Sequence, residues 1–342
     1  VIIVPTREES SIGYHAAIKS AALFDRSSSG KIEVRGPEAP EFLHNLCTND
    51  VKNLPLGGGC EAFFCNERAR ALFHCRIYHM RLGGRDALWI DMTPGYAEAL
   101  LKHLDRHLIA EQVELADRTM EFAQCHLAGP TASTVLAAAI GEPMPELQLH
   151  QHMERTIADT AVHIRRHDPL GVPGFDIVCL TNHAPQIRSQ LISFGAIPAD
   201  GTAWEWLRIE AGTPEYGKDI DDKRFVVEIG RDDAISFTKG CYLGQEPIVM
   251  ARDRAGFVNR SFRGLKLSAS AEGTAGAKLF APDEVGIITS VTETPNCGAI
   301  GLAYLRRGFE TPDTVVHVGT ADGSIATVVE LPNRTPAAQK NL

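Results

Sequence analysis

From Phe257 onward the 342-residue chain stops mixing helical and extended patterns and reads as strands alone. Residues 263–267, 284–290, 299–304 and 314–318 are strand-like runs separated by turns, which predicts a small all-β unit, a barrel over residues 257–342. Upstream, strands and helices alternate irregularly and are segregated. That grammar argues for an α+β fold over a repeating βαβ parallel sheet.

Apolar residues recur at helical intervals over 14–24, and Ser27-Ser28-Ser29-Gly30 then breaks the pattern. Residues 31–34 alternate as a strand, Gly36-Pro37 turns, and 38–46 reads as a helix. The same order returns as a strand at 124–128, Gly129-Pro130, and a helix over 131–140. This echo hints at two related subdomains, although Gly-Pro before a helix is also a common local solution. Between the two units, 61–65 and 71–78 form a hairpin around 66–68, with a third strand at 87–91. A helix follows over 95–110, with Leu100, Leu101, Leu104 and Leu108 as its apolar stripe. A second hairpin, 161–164 with 175–180, spans the loop 168–174, and helices follow at 184–194 and 202–211.

A net charge of −9 excludes a general binder of phosphate backbones, so nucleic acid is not expected as a partner. Eight cysteines occur without a C-x-x-C pair, which reads as reduced thiols in the cytoplasm and as no structural zinc. His103 and His107 share a helical face, yet no glutamate follows the first and no third ligand is apparent, so no metal site is expected. The opening Val1 to Val4 ends at Pro5 without a signal-peptide core, and no uncharged run is long enough to cross a membrane.

The densest chemistry lies in Thr238-Lys239-Gly240-Cys241-Tyr242-Leu243-Gly244-Gln245-Glu246. Alternation over 234–237 predicts an extended entry, and Gly240 permits a turn that presents Cys241 at a junction. Lys239 stands two residues from the thiol, where an ammonium favours the reactive thiolate. Cysteine also serves as a small buried apolar side chain, and both roles are open on sequence chemistry alone.

Taken with residues 207–220, the run Lys239 to Glu246 resembles the folate-binding YgfZ-type branch of the glycine-cleavage T-protein (aminomethyltransferase) superfamily, for which K-G-C-Y-x-G-Q-E is close to a signature. Phe24-Asp25, Gly36-Pro37-Glu38-Ala39, Thr48-Asn49-Asp50, Cys65-Asn66-Glu67 and residues 286–290 stand in the superfamily's order, so the resemblance covers nearly the whole chain. It implies a three-part cloverleaf with a ferredoxin-like middle: residues 1–256 as a folate-binding region of two interleaved α+β subdomains, and 257–342 as a C-terminal β-barrel. It also implies tetrahydrofolate, or a one-carbon derivative, as cofactor, and iron-sulfur proteins or their assembly factors as partners. Arg208, Tyr216, Glu228 and Asp91 carry over as folate contacts, with His74 lining the same site. Cys241 carries over as the functional thiol and Lys239 as its tuner; Gly240, Tyr242, Gly244, Gln245 and Glu246 complete the motif.

Three departures separate this chain from the aminomethyltransferases. Phe73 and His74 stand where those enzymes carry a pair of aspartates, the second catalytic; Val172 replaces a pterin-gripping glutamate; and of N-P-x-E only Glu228 remains. An imidazole can accept a proton but cannot supply a fixed negative charge beside a developing cation. With no orienting acid identifiable, His74 reads as a pocket-lining or core residue ahead of a catalytic base. Arg208 has an alternative as an ion pair with Glu205 or Glu215, and Tyr216 as a packing residue. The expected function is tetrahydrofolate-dependent support of iron-sulfur cluster assembly or repair. The alternatives are a folate-dependent one-carbon transferase or demethylase with His74 in the acid's place, and a scaffold whose folate pocket has decayed at Val172.

Overall fold

A computed structural model describes residues 6–268 and 274–333. The first described turn is a capping box, with Thr6 accepting from the Glu9 N–H and the Glu9 carboxylate accepting from the Thr6 N–H. The chain then runs α1 (Arg7–Lys19), β1 (Ala22–Asp25), β2 (Gly30–Arg35), α2 (Ala39–Leu46), β3 (Gly59–Cys65), β4 (Ala71–Leu82), β5 (Arg85–Met92), α3 (Ala97–Asp105) and β6 (Glu114–Asp117). It continues through β7 (Phe122–Ala128), α4 (Ala132–Ile140), β8 (His152–Ile157), β9 (Thr160–Arg166), β10 (Gly174–Leu180), α5 (Ala184–Ser193), β11 (Ile197–Ala199) and α6 (Gly201–Ala211). After α7 (Gln245–Val249) and a π-helical turn, Met250–Ala255, come β12 (Arg260–Leu267), β13 (Lys278–Phe280), β14 (Glu284–Thr294), β15 (Gly298–Arg306), β16 (Val315–Val318) and β17 (Ser324–Val329).

These strands form three sheets. A five-stranded sheet has the order β3-β4-β5-β2-β6, a six-stranded sheet the order β11-β1-β7-β10-β9-β8, and β12 to β17 close into a barrel. The fold is thus α+β in three parts, and the barrel expected from the strand-only region is present. Each of the first two sheets holds one Gly-Pro unit: β2 leads through Gly36 into α2, and β7 through Gly129 into α4. Both glycines adopt positive φ, 118° and 135°. A Cβ would meet the Gln112 carbonyl oxygen at 1.9 Å in the first and the Ser20 carbonyl oxygen at 2.3 Å in the second, so the repeated glycine answers the same steric demand twice.

Two expectations over the first third need correction. Residues 22–25 continue the helical spacing but form β1, because pairing with β7 on one side and β11 on the other buries Ala22, Leu23 and Phe24. Propensity yields there to tertiary pairing. The helix expected to reach residue 110 stops at Asp105, where the His107 ring binds the His103 carbonyl at 2.9 Å and satisfies one acceptor of the last turn. Strands β6, β8, β11, β13 and β17 were not foreseen.

Leu100 and Leu104 of α3 are fully buried against Ile32, Ile77 and Ile90 of the five-stranded sheet, each burial contributing about 1.5–3 kcal/mol. A further apolar cluster joins Phe63, Ile209, Val226 and Tyr242 to Phe262, Ile300 and Tyr304, so the barrel shares a core with the chain before it. Between the two open sheets, Arg165 on β9 donates to Asp91 on β5 at 2.5 Å, with the guanidinium over the rings of Tyr78 and Trp89.

Candidate functional site: a charged central cleft and an exposed thiol loop

Strand β4 alternates, burying Phe73, Cys75 and Ile77 and leaving His74 and Arg76 partly exposed on its other face. That face floors a cleft at the centre of the molecule. Glu61 and Arg231 lie beside His74; His167, Pro169 and Asp176 come from the second hairpin and its loop; Trp204, Arg208 and Tyr216 come from α6 and the segment after it; Arg26 and Ser29 complete the wall after β1.

His74 has an orienting acid. Its Nε2 lies 2.5 Å from Glu61 Oε1, its ring stacks on Phe63 with centroids 4.7 Å apart, and Glu61 also takes two hydrogen bonds from Arg231, one of them at 2.9 Å. Burial alone would raise the Glu61 pKa, but the His74 and Arg231 charges and hydrogen bonds outweigh it and hold the carboxyl well below its usual range. Glu61 was missed at the level of sequence although the signal was there. In the β3–β4 hairpin Phe63 faces His74 and Glu61 faces Arg76, so Glu61 is the diagonal neighbour of His74 on the same face.

A second imidazole–carboxylate group lies across the cleft. Asp176 accepts from His126 Nδ1 at 2.8 Å with one oxygen and from His167 Nδ1 at 3.0 Å with the other. Burial would raise the Asp176 pKa, and the two histidines hold it well below the usual range; burial, with Arg76 nearby, pushes His167 down to about 3. Each of the three offers a ligand-type atom within 4.8 Å of the others, the arrangement of a potential metal trio that sequence spacing did not reveal. The carboxylate is nevertheless already fully engaged by the two rings.

The folate contacts carried over by resemblance are dispersed. Arg208 lines the cleft but is only 2% exposed, and its guanidinium is saturated: Glu205, Asp219 at 2.8 Å, Glu215 at 3.5 Å and the Ser290 hydroxyl of β14 all take part. The ion-pair alternative therefore describes its contacts. Tyr216 lines the cleft as well, donating to the Leu72 carbonyl and packing against Phe73 and Tyr96. Asp91 is fully buried with Arg165 and the Trp89 indole N–H, and stands outside the cleft lining; the ion pair between the sheets consumes it. Glu228 is buried in the turn Val226–Ile229, also outside that lining. Val172 packs with Tyr14, Phe24 and Trp206 in an apolar cluster, and from its loop Pro169 is the residue that reaches the cleft.

The signature run stands apart from the cleft lining. Residues 235–244 are irregular, without the extended entry expected over 234–237, because Thr48 and its neighbours take up the backbone: Thr48 donates to the Ala234 carbonyl at 2.6 Å and accepts from the Ser236 N–H, through its own carbonyl, at 2.9 Å. Cys241 is exposed at the junction before α7, while the other seven cysteines are buried or half-buried. Lys239 does not serve as the tuner of that thiol. Its ammonium donates to the carbonyls of His44, Cys47 at 2.8 Å and Asn49 at 2.9 Å, where α2 ends, and lies over the Tyr242 ring. The thiols that feel its charge are Cys47 and Cys60, whose pKa values burial raises and Lys239 opposes. The required glycine is Gly244, not Gly240: Gly244 has φ 84° and a Cβ there would meet the Asn66 carbonyl oxygen at 2.5 Å, whereas Gly240 borders open space. Gln245 and Glu246 open α7.

Residues 7–239 match the family model of the GCVT N-terminal domain. An aminomethyltransferase of Rubrobacter xylanophilus is 29% identical over 304 residues, covering 86% of this chain and 80% of the relative. One from Halalkalibacterium halodurans is 26% identical over 328 residues, covering 93% and 88%. The crystal structure of the glycine cleavage system aminomethyltransferase T from Bartonella henselae superposes with a TM-score of 0.83 at 26% identity, covering 94% of this chain and 89% of that one. With more than half of its length matched by the family model and its three-part architecture shared with a T-protein, the chain belongs to the GCVT N-terminal domain family, within the glycine-cleavage T-protein superfamily.

Proposed function

We propose that the chain binds tetrahydrofolate, or a one-carbon derivative of it, in the central cleft, and acts as a YgfZ-type protein that supports iron-sulfur cluster assembly or repair through Cys241. In this reading residues 1–256 form the folate-binding region, residues 257–342 cap it, and the protein works in the cytoplasm. The observation that carries the thiol's part is its setting: Cys241 is the exposed cysteine of the chain, on a loop pinned at both ends by Lys239 and Gly244. The cleft supports the folate part chemically. The rings of Trp204 and Tyr216 offer flat apolar walls to a pterin, while Gln124 and Thr93 offer hydrogen-bonding groups beside them. When bound, the folate would supply the one-carbon chemistry, and the chain's own residues would bind, orient and exchange protons.

A second reading, a folate-dependent one-carbon transferase of the aminomethyltransferase or demethylase type, is favoured by the Glu61 carboxylate behind His74. Glu61 gives the imidazole the fixed orientation that a general base needs at Nδ1.

Tetrahydrofolate at a hundredfold excess over its Kd should stabilise the protein by about 2.7 kcal/mol in thermal denaturation. No stabilisation and no calorimetric binding would remove the folate half. In cells lacking their own YgfZ-type protein, the wild-type chain should restore iron-sulfur enzyme activity and Cys241→Ser should not, with folate affinity and melting temperature unchanged. Full restoration by Cys241→Ser would remove the thiol half. Conversion of tetrahydrofolate to methylene-tetrahydrofolate with an amine donor, abolished by His74→Ala, would establish the second reading.

A further inference from the structure

Two cations of the central cleft make no ion pair among the described residues. Each acid near it is already committed: Glu61 to Arg231 and His74, Asp176 to His126 and His167, Glu215 to Arg208 and Lys218, and Asp91 to Arg165. Arg26 and Arg76 line the same cleft, and among the described residues neither has a carboxylate at ion-pair distance. The Arg26 guanidinium lies 4.1 Å above the Trp204 ring, Arg76 Nε is buried without a hydrogen-bond partner, and the two cations are close enough for their charges to act on each other. A guanidinium does not escape burial by losing its proton; burial prevails at Arg26, whereas at Arg76 the charges of Tyr78, Asp176, Asp91 and Glu61 outweigh it from beyond ion-pair distance and leave its donors unused. Two such cations side by side leave donors open to an anion from outside the chain.

We infer that Arg76 and Arg26 form an anion-binding subsite that takes a carboxylate group of the cleft's ligand, gripped by the planar fork of Arg76 and flanked by Arg26 on its Trp204 platform. Arg208, which the family resemblance offered for this task, has no donor to spare. The carboxylate has two sources: the glutamyl end of a folate, or a small carboxylic acid that shares the cleft as co-substrate. Only the first source depends on the folate reading.

Calorimetry at constant ionic strength with the full chain separates the sources. If the glutamyl end is bound, tetrahydrofolate binds about tenfold or more tightly than tetrahydropteroate, which lacks it, and Arg76→Met erases the difference. If a small acid is bound, the two pteridines bind alike, whereas glycine or acetate binds to the wild type and not to Arg76→Met. Failure of both pteridines with retained binding of the small acids would sink the folate reading and leave the subsite standing. Arg76→Lys, which keeps the charge without the fork, should weaken carboxylate binding by about tenfold, and Arg26→Met provides an independent loss. The inference is overturned if no carboxylate binds, or if Arg76→Met and Arg26→Met bind carboxylates as the wild type does.

Discussion

The Lys239 ammonium stands 2.8 Å from the carbonyl oxygen of Cys47, so the basic residue of the K-G-C run closes the C-terminal end of α2 instead of facing the next thiol along the chain. Hydrogen bonds from charged donors contribute about 1.5–3 kcal/mol each, and three acceptors converge here. Lys239→Met should therefore cost about 3 kcal/mol in urea denaturation, while the rate at which Cys241 reacts with a disulfide reagent stays within about twofold once the protein is folded. A fall of about tenfold in that rate with little loss of stability would return Lys239 to the role of an activating neighbour.

Under native conditions the thiols should separate into one fast class and one slow class. Cys241 is exposed, and burial pushes the Cys179 thiol up to about 11 and raises those of Cys47, Cys60, Cys65, Cys75 and Cys125. Titration with a coloured disulfide should show a single rapid equivalent, absent from Cys241→Ser. Two rapid equivalents would mean that a half-buried thiol such as Cys297 opens to solvent.

Removing the charge of Glu61 should be expensive, because Arg231 and His74 both lose their anion. Glu61→Gln is expected to lose about 3–5 kcal/mol, the range for breaking a sheltered ion pair on one side. The pH dependence has a definite sign. The Glu61 carboxyl ionises at lower pH in the fold than its ordinary value of 4.5, so its stabilisation is complete above that value and disappears as pH falls through the folded value. Acid titration of stability should be shallower in Glu61→Gln than in the wild type below pH 4.5, by up to about 1.4 kcal/mol per pH unit. Parallel curves would show that Glu61 is not held charged by its partners.

Asp91→Asn tests whether that carboxylate serves ligand or fold. Its partner Arg165 is fully buried, so the substitution should cost about 3–5 kcal/mol and leave affinity for tetrahydrofolate within about twofold. Weakened ligand binding in a stable variant would restore Asp91 to the cleft.

Periodicity carried much of the architecture. The β3–β4 hairpin, the third strand beside it, the two Gly-Pro units and the strand-only barrel were all legible from alternation and turn chemistry, and the order of short motifs pointed to the superfamily. What failed were statements about where a charged side chain ends. Lys239 and Cys241 are two apart in sequence, but a four-carbon stem carries the ammonium to α2. Asp91 matched a ligand position loosely by its place after the third strand, yet its fate depends on Arg165, seventy-four positions away on another sheet. The pairing of Glu61 with His74 could have been read, since a hairpin register fixes diagonal neighbours once its turn is known. The lack of an ion pair at Arg26 and Arg76 among the described residues could not, because it emerges only when every nearby acid has been assigned.

Tyr216 lines the central cleft on one side and, on the other, a second hollow bounded by Phe73, Tyr96, Lys102, His103 and Arg106. Its ring is thus a bulkhead between two compartments, moored by a hydrogen bond to the Leu72 carbonyl. Were the cleft to hold a long ligand, this phenol would be the side chain it met between the two hollows.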